Sequence, residues 1–189
     1  MLLTVWIGRQ QHHPKTREDE DRLIRQVLED LEYGQNASFI LNEFKAHESL
    51  YPDSTLTVSL NKSTGFGGAV WYVGAHYPKQ GGVYDHVWIT DNPLPPESDP
   101  NVVSDIHVPV FMEPSSVVPL SVLQRVIEEF CRNKTGDRPT SIEWVEGLIG
   151  GERADKEHHA GLESESASRA QAVLDALAPQ INARVRPTE

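Results

Sequence analysis

The chain has 189 residues, 38% of them hydrophobic, with 28 acidic against 17 basic side chains for a formal charge of -11. That is enough chain for one domain of ordinary size with appendages, and no apolar run approaches the roughly 18 residues a membrane span requires. The acidic balance disfavours nucleic acid and anionic membranes as partners and favours a basic protein. A single cysteine, Cys131, excludes an internal disulfide framework, and the opening MLLTVWIGRQQHHP lacks the charged lead of a signal peptide, so a cytoplasmic protein is expected.

Residues 2–7 alternate Leu3, Val5 and Ile7 against Leu2, Thr4 and Trp6, which predicts a strand. A helix follows: Thr16 can cap it with Asp19 three residues on, Glu18, Glu20 and Asp21 suit the positive end of the helix dipole, and Ile24, Val27, Leu28 and Leu31 form an apolar stripe that ends near Gly34. The segment 38–44 fits strand or helix and is read as strand. Residues 55–61 set Leu56, Val58 and Leu60 on one face and Thr57, Ser59 and Asn61 toward water. With 69–73 they predict a hairpin turned through the glycines of 63–68. After Gly81-Gly82, residues 83–90 read as another strand, with Tyr84, His86, Trp88 and Thr90 on one face and Val83, Asp85, Val87 and Ile89 on the other.

Residues 91–104, with Pro93, Pro95, Pro96 and Pro100, read as an exposed stiffened loop, and 106–111 as a short edge strand because Pro109 bars a central place. Pro119 suits the first position of a helix whose stripe is Leu120, Leu123, Val126, Ile127 and Phe130, ending at Gly136. Residues 141–145 predict a last strand with Ile142 and Trp144 on one face. The expected fold class is α+β: a mostly antiparallel sheet of about five or six strands with two main helices on one face. The main domain is expected over 1–148, followed over 149–189 by a polar linker and a short helical tail, the tail helix lying at 166–178.

Candidate chemistry is sparse. The glycines of 65–68 and 81–82 lack the Lys-Ser/Thr and helix of a phosphate loop and read as turns. The histidine pairs 12–13 and 158–159 have no second pair at zinc-ligand spacing and read as solvated, and Glu128-Glu129 read as the solvent side of the second helix. Cys131, Asp105 with His107, and Ser104 are the groups a small hydrolase or transferase would use, but no nucleophile elbow accompanies them. Cys131 follows Phe130 on an apolar face and reads as a packing residue. No cofactor or metal is implied.

A different signal comes from charge. No Lys or Arg occurs between Lys79 and Arg125, whereas Asp85, Asp91, Glu97, Asp99, Asp105 and Glu113 do. The aromatics Trp71, Tyr72, Tyr84 and Trp88 adjoin this stretch, and aromatics rimmed by acids suit a protein interface as well as simple packing. Tyr84, Asp85, Trp88, Asp91, Glu97, Asp99 and Asp105 are therefore the candidate partner-binding residues.

Three ordered segments carry a resemblance: Gly67-Gly68-Ala69-Val70-Trp71-Tyr72, then Val118-Pro119-Leu120 opening a helix, then Gly136-Asp137-Arg138-Pro139-Thr140-Ser141-Ile142-Glu143-Trp144. Over roughly 54–146 the chain resembles the Imm1 family of bacterial immunity proteins. The resemblance implies a non-enzymatic cytoplasmic inhibitor that binds a cognate toxin domain of a polymorphic toxin system. Such domains are often deaminase-fold toxins acting on DNA bases. The implied mode is acidic cover over the toxin's basic cleft, with no nucleic acid or membrane as partner.

Overall fold

The computed structural model describes residues 1–43, 52–105 and 110–155. Strand β1 (Leu2–Ile7) turns into the short β2 (Gln10–His12), and helix α1 (Arg17–Asp30) begins at Thr16. The expected capping box is present: Thr16 Oγ1 accepts from the Asp19 N–H at 3.1 Å, and Asp19 Oδ2 accepts from the Thr16 N–H at 3.3 Å. Strands β3 (Asn36–Asn42), β4 (Ser54–Asn61), β5 (Phe66–Val73) and β6 (Val87–Asp91) follow. Then come β7 (Val103–Asp105), β8 (Val110–Phe111), β9 (Val118–Pro119), helix α2 (Leu120–Asn133) and β10 (Glu143–Gly147).

The strands join into one antiparallel sheet ordered β10-β6-β5-β4-β3-β1-β2, with β9 added beside β5, while β7 and β8 pair separately. The fold is α+β as expected, and the sheet reaches eight strands because β2 and β9 are short pieces that leave little periodic trace. Both helices pack on one face, where Leu23, Ile24, Val27, Leu123, Val126, Ile127 and Phe130 bury against Val5, Phe39, Leu56, Val58 and Trp71. The glycine pair of β5 is set by this layering. A Cβ on Gly67 would lie 2.7 Å from Leu123 Cδ2 of α2, and one on Gly68 would lie 2.5 Å from Met112 Sδ on the opposite face.

That opposite face departs from expectation. Ser59 and Asn61 are buried rather than wet, because the chain between β6 and β9 folds over them. Asn61 Nδ2 donates to the Pro100 carbonyl at 2.8 Å, and Val102, Met112 and Val117 close a second core with Val70 and Ile89. The 91–104 loop is thus exposed along most of 93–98 and at Asn101, while Pro100, Val102 and Val103 are buried.

Three further boundaries move. The strand expected over 83–90 begins at Val87; Gly82–Asp85 form a 3-10 turn that opens through Gly81 and Gly82 at φ 84° and 58°, so Tyr84 and Trp88 do not share a strand face. Pro119 is the residue that precedes α2 and pairs within β9 rather than opening the first turn. The last strand lies two residues later than expected, at Glu143–Gly147. The 38–44 segment is strand through Asn42, and its end at Phe44, the 106–109 part of the expected edge strand, and the 166–178 helix lie outside the described residues.

Candidate functional site

The residues Gly136–Trp144 connect α2 to the outermost long strand, β10, and three features hold the connection in shape. Lys134 and Gly136 turn the chain in the left-handed region at φ 51° and 78°. A side chain on Gly136 would also meet Tyr77 Cε2 at 2.9 Å, so glycine is required there twice over. Glu129, one turn before the end of α2, accepts from the Thr140 N–H at 2.7 Å, the Thr140 hydroxyl at 2.9 Å and the Ser141 N–H at 2.9 Å. Burial pushes the Glu129 carboxyl up, yet these hydrogen bonds outweigh it and hold it below the usual range. Sequence periodicity placed Glu129 with the solvent-facing side chains; its loop partners lie 11 and 12 residues away and leave no helical signature.

Asp137 gathers the next layer. Its Oδ1 accepts from Lys79 Nζ at 2.5 Å, the Tyr84 hydroxyl at 2.9 Å and the Tyr77 hydroxyl at 3.1 Å. Burial raises its pKa, but the donated bonds prevail and the carboxyl stays below its ordinary value. Tyr84 is consequently a fixed member of an aromatic stack, with ring centroids 5.5 Å from Tyr77 and 6.2 Å from Trp71. Trp88 is fixed too, its indole N–H donating to the Val83 carbonyl at 2.7 Å while the Arg138 guanidinium lies 4.0 Å above its ring centre. Trp144 donates to the Pro139 carbonyl at 2.7 Å.

These pieces enclose an open cleft of about 410 Å³ between the 3-10 turn and the Gly136–Trp144 connection, lined by Tyr84, Asp137, Arg138, Thr140, Glu143 and Trp144 among others. Asp85 is exposed beside it and accepts from the Gly81 N–H at 2.9 Å, and an exposed His86–Glu146 contact of 2.9 Å lies next to Trp88.

The candidate binding residues do not form one patch. Tyr84, Asp85 and Trp88 adjoin the cleft. Asp91 is engaged internally: Arg153, 8% exposed, donates to it at 2.6 Å and also pairs with Asp155 at 2.8 Å. Glu97 is exposed on the proline-rich loop. Asp99 accepts from the Asn101 N–H at 2.8 Å near Tyr33, beyond the C-terminal end of α1, and Asp105 ends β7. Periodicity reads 141–145 as a strand and none of the candidate partner-binding residues falls within 136–144, so Arg138 and Glu143 are missed as cleft residues. The available signal was the polar Asp-Arg pair inside a motif otherwise made of turn and strand residues.

The groups proposed for an enzyme fare differently. Cys131 is fully buried, and desolvation, with Glu20 adding, pushes its thiol far up, the opposite of what a thiolate nucleophile requires. His107, His158 and His159 lie outside the described residues. His13 bonds Thr4 Oγ1 through Nδ1 at 3.2 Å, so that pair is not merely solvated. Among the described residues no group of three or more His, Cys, Asp or Glu could hold a metal ion, and no helix is long and apolar enough to cross a membrane.

With this geometry in place, comparison with protein families matches residues 9–146 to the family described as Immunity protein Imm1. Neither the curated proteins nor the solved structures give a match. The matched span includes both helices, β3–β9, most of β10 and every residue named above as lining the cleft.

Proposed function

Because the chain belongs to the Imm1 immunity protein family, we propose that it binds a cognate toxin domain that acts on nucleic acid, a deaminase or nuclease, and neutralises it by covering the basic active-site cleft. The family match over 9–146 is the observation that carries this reading. Physical chemistry supports the choice of target. A domain that works on nucleic acid presents positive potential, and a protein of formal charge -11 complements it, speeding encounter and selecting the partner. The contact surface in this reading centres on the aromatic cleft with Tyr84, Trp88 and Asp85, while Glu97, Asp99 and Asp105 lie apart from it and contribute negative potential. Asp91 enters as support for that surface through its bond to Arg153.

The test uses the toxin domain encoded beside the gene for this chain. An equimolar amount of purified protein should abolish its base-modifying or nucleolytic activity on DNA or RNA. Surface plasmon resonance against a catalytically inactive form should show a stable complex. A toxin that stays active and unbound at micromolar protein would overturn the reading.

A further inference from the structure

Arg138, half-buried, differs from Arg153, the other arginine near the sheet edge. Arg153 spends its donors on Asp91, Asp155 and the Ser115 carbonyl. Arg138 makes no hydrogen bond or ion pair among the described residues, and its Nη1 is buried without a partner. What holds it is the Trp88 ring, 4.0 Å from Cζ. Stacking covers a face of the guanidinium and Nη1 is enclosed, which leaves Nε and Nη2 as the uncommitted in-plane donors, an edge through which arginine recognises a carboxylate bidentately. Burial lowers its pKa, while Glu143 and Tyr84 pull the other way; these charges and the Trp88 stack offset part of the desolvation cost, and no hydrogen bond among the described residues does. Glu143 lines the same cleft, is exposed, and has no hydrogen-bonded partner among the described residues either. Asp137, the remaining carboxylate, is already occupied by Lys79, Tyr77 and Tyr84.

We propose that this cleft is the register-setting socket of the interface: Arg138, laid flat on Trp88, receives an Asp or Glu side chain of the toxin, while Glu143 faces a basic side chain beside it. The inference rests on the toxin-binding reading and goes beyond it, because general acidity predicts only attraction to basic surface. One cation that welcomes a carboxylate, set in a protein that elsewhere repels it, admits a partner in one alignment and penalises slipped ones. Arginine, tryptophan and tyrosine together are also the composition in which binding energy concentrates. A phosphate group fits less well, because Asp137 and Glu143 line the same cleft and would repel its larger charge more strongly than that of a carboxylate.

Two measurements decide it. Against the inactive toxin domain, Arg138→Gln should raise the dissociation rate at least tenfold, and Arg138→Lys should recover little of the loss, since a point charge cannot replace the planar fork. In a scan of the toxin's Asp→Asn and Glu→Gln variants, one should lose as much as Arg138→Gln does and add nothing to it. In parallel, the full chain is titrated with acetyl-glutamate N-methylamide while the indole resonances are followed by NMR. Trp88 and Trp144 should shift at millimolar ligand, but not with the glutamine analogue and not in Arg138→Gln. Glu143→Gln, which leaves the stack intact, should tighten that weak binding. A toxin bound by wild type and Arg138→Gln alike would overturn the socket and leave the immunity reading standing. A wild type that binds no toxin would overturn the immunity reading, and the peptide titration would still decide the socket. Absence of indole shifts, or equal shifts with inorganic phosphate, would overturn the carboxylate assignment.

Discussion

Asp137 draws three donors from positions 77, 79 and 84 onto one oxygen, at a point where the sequence offers only an acid in a turn. Asp137→Asn keeps the shape and removes the charge that makes those bonds strong; Asp137→Ala strands the Tyr84 hydroxyl as well. The alanine variant should lose about 1 kcal/mol in urea melts, the low end for a donor left without its acceptor, because the Tyr84 hydroxyl is only part-buried and the Tyr77 hydroxyl keeps the Thr135 carbonyl at 2.8 Å. The pH dependence has a definite sign. A carboxyl whose folded pKa lies below its unfolded value of about 3.9 stabilises the fold above that value and loses the contribution as pH falls through the folded pKa. The stability gap between wild type and Asp137→Asn should therefore be full at pH 7 and shrink toward pH 3; a gap independent of pH would show that the charge contributes nothing. At this scale the sequence was legible where partners are near. Thr16 and Asp19 announced their capping box, and the apolar setting of Cys131 announced a packed thiol, whereas Asp137, Glu129 and Arg138 depend on residues far along the chain.

Elements were legible when one face was apolar and the period clean. The stripe of α2 survives in the structure, with Leu123 and Ile127 fully buried, so Leu123→Ala or Ile127→Ala should cost about 2–5 kcal/mol by the cavity each leaves. Closure of β5 from both sides adds a complementary test. Gly67→Ala forces a methyl group against Leu123 and against the Ser59 carbonyl at 2.7 Å, and overpacking of this kind costs about 1–3 kcal/mol in the same melts. An unchanged Gly67→Ala would mean that α2 does not rest on β5 as described. Alternation failed where local turn geometry overruled it. Residues 83–90 alternate throughout, yet the positive φ of Gly81 and Gly82 starts a 3-10 turn, and the Trp88 indole closes it on the Val83 carbonyl. Alternation failed again on β4, where Ser59 and Asn61 look wet by residue type but meet a covering segment about 40 residues later in the chain.

Across the whole molecule, the acids differ in what they hold: Asp91 is tied to the nearly buried Arg153, whereas Asp85 and Glu97 are exposed on loops, a division that composition alone does not reveal. The chain after β10 turns back along it, Leu148 N–H and Ala154 N–H bonding the Glu152 and Glu146 carbonyls at 2.9 Å each, and carries Arg153 to Asp91. We therefore propose a working boundary beyond Asp155. Truncation there should leave the melting temperature unchanged, whereas truncation after Gly150 should lower it by removing Arg153 and the strand-edge bonds. The same division sharpens the functional expectation for the acid-only stretch. Asp91→Asn breaks an internal pair, so it should reduce thermal stability and leave the salt dependence of toxin association nearly intact. Asp85→Asn, Glu97→Gln and Asp99→Asn together remove charge from the surface, so they should slow association and flatten its dependence on ionic strength with little change in dissociation, as peripheral charges act chiefly on encounter. Steered pairs reach about 10⁸–10⁹ M⁻¹s⁻¹ at low salt, which leaves ample range for the loss to be read by surface plasmon resonance between low and physiological ionic strength. If the triple variant associates like wild type at every salt concentration while Asp91→Asn does not, the steering surface is not the one formed by these three acids.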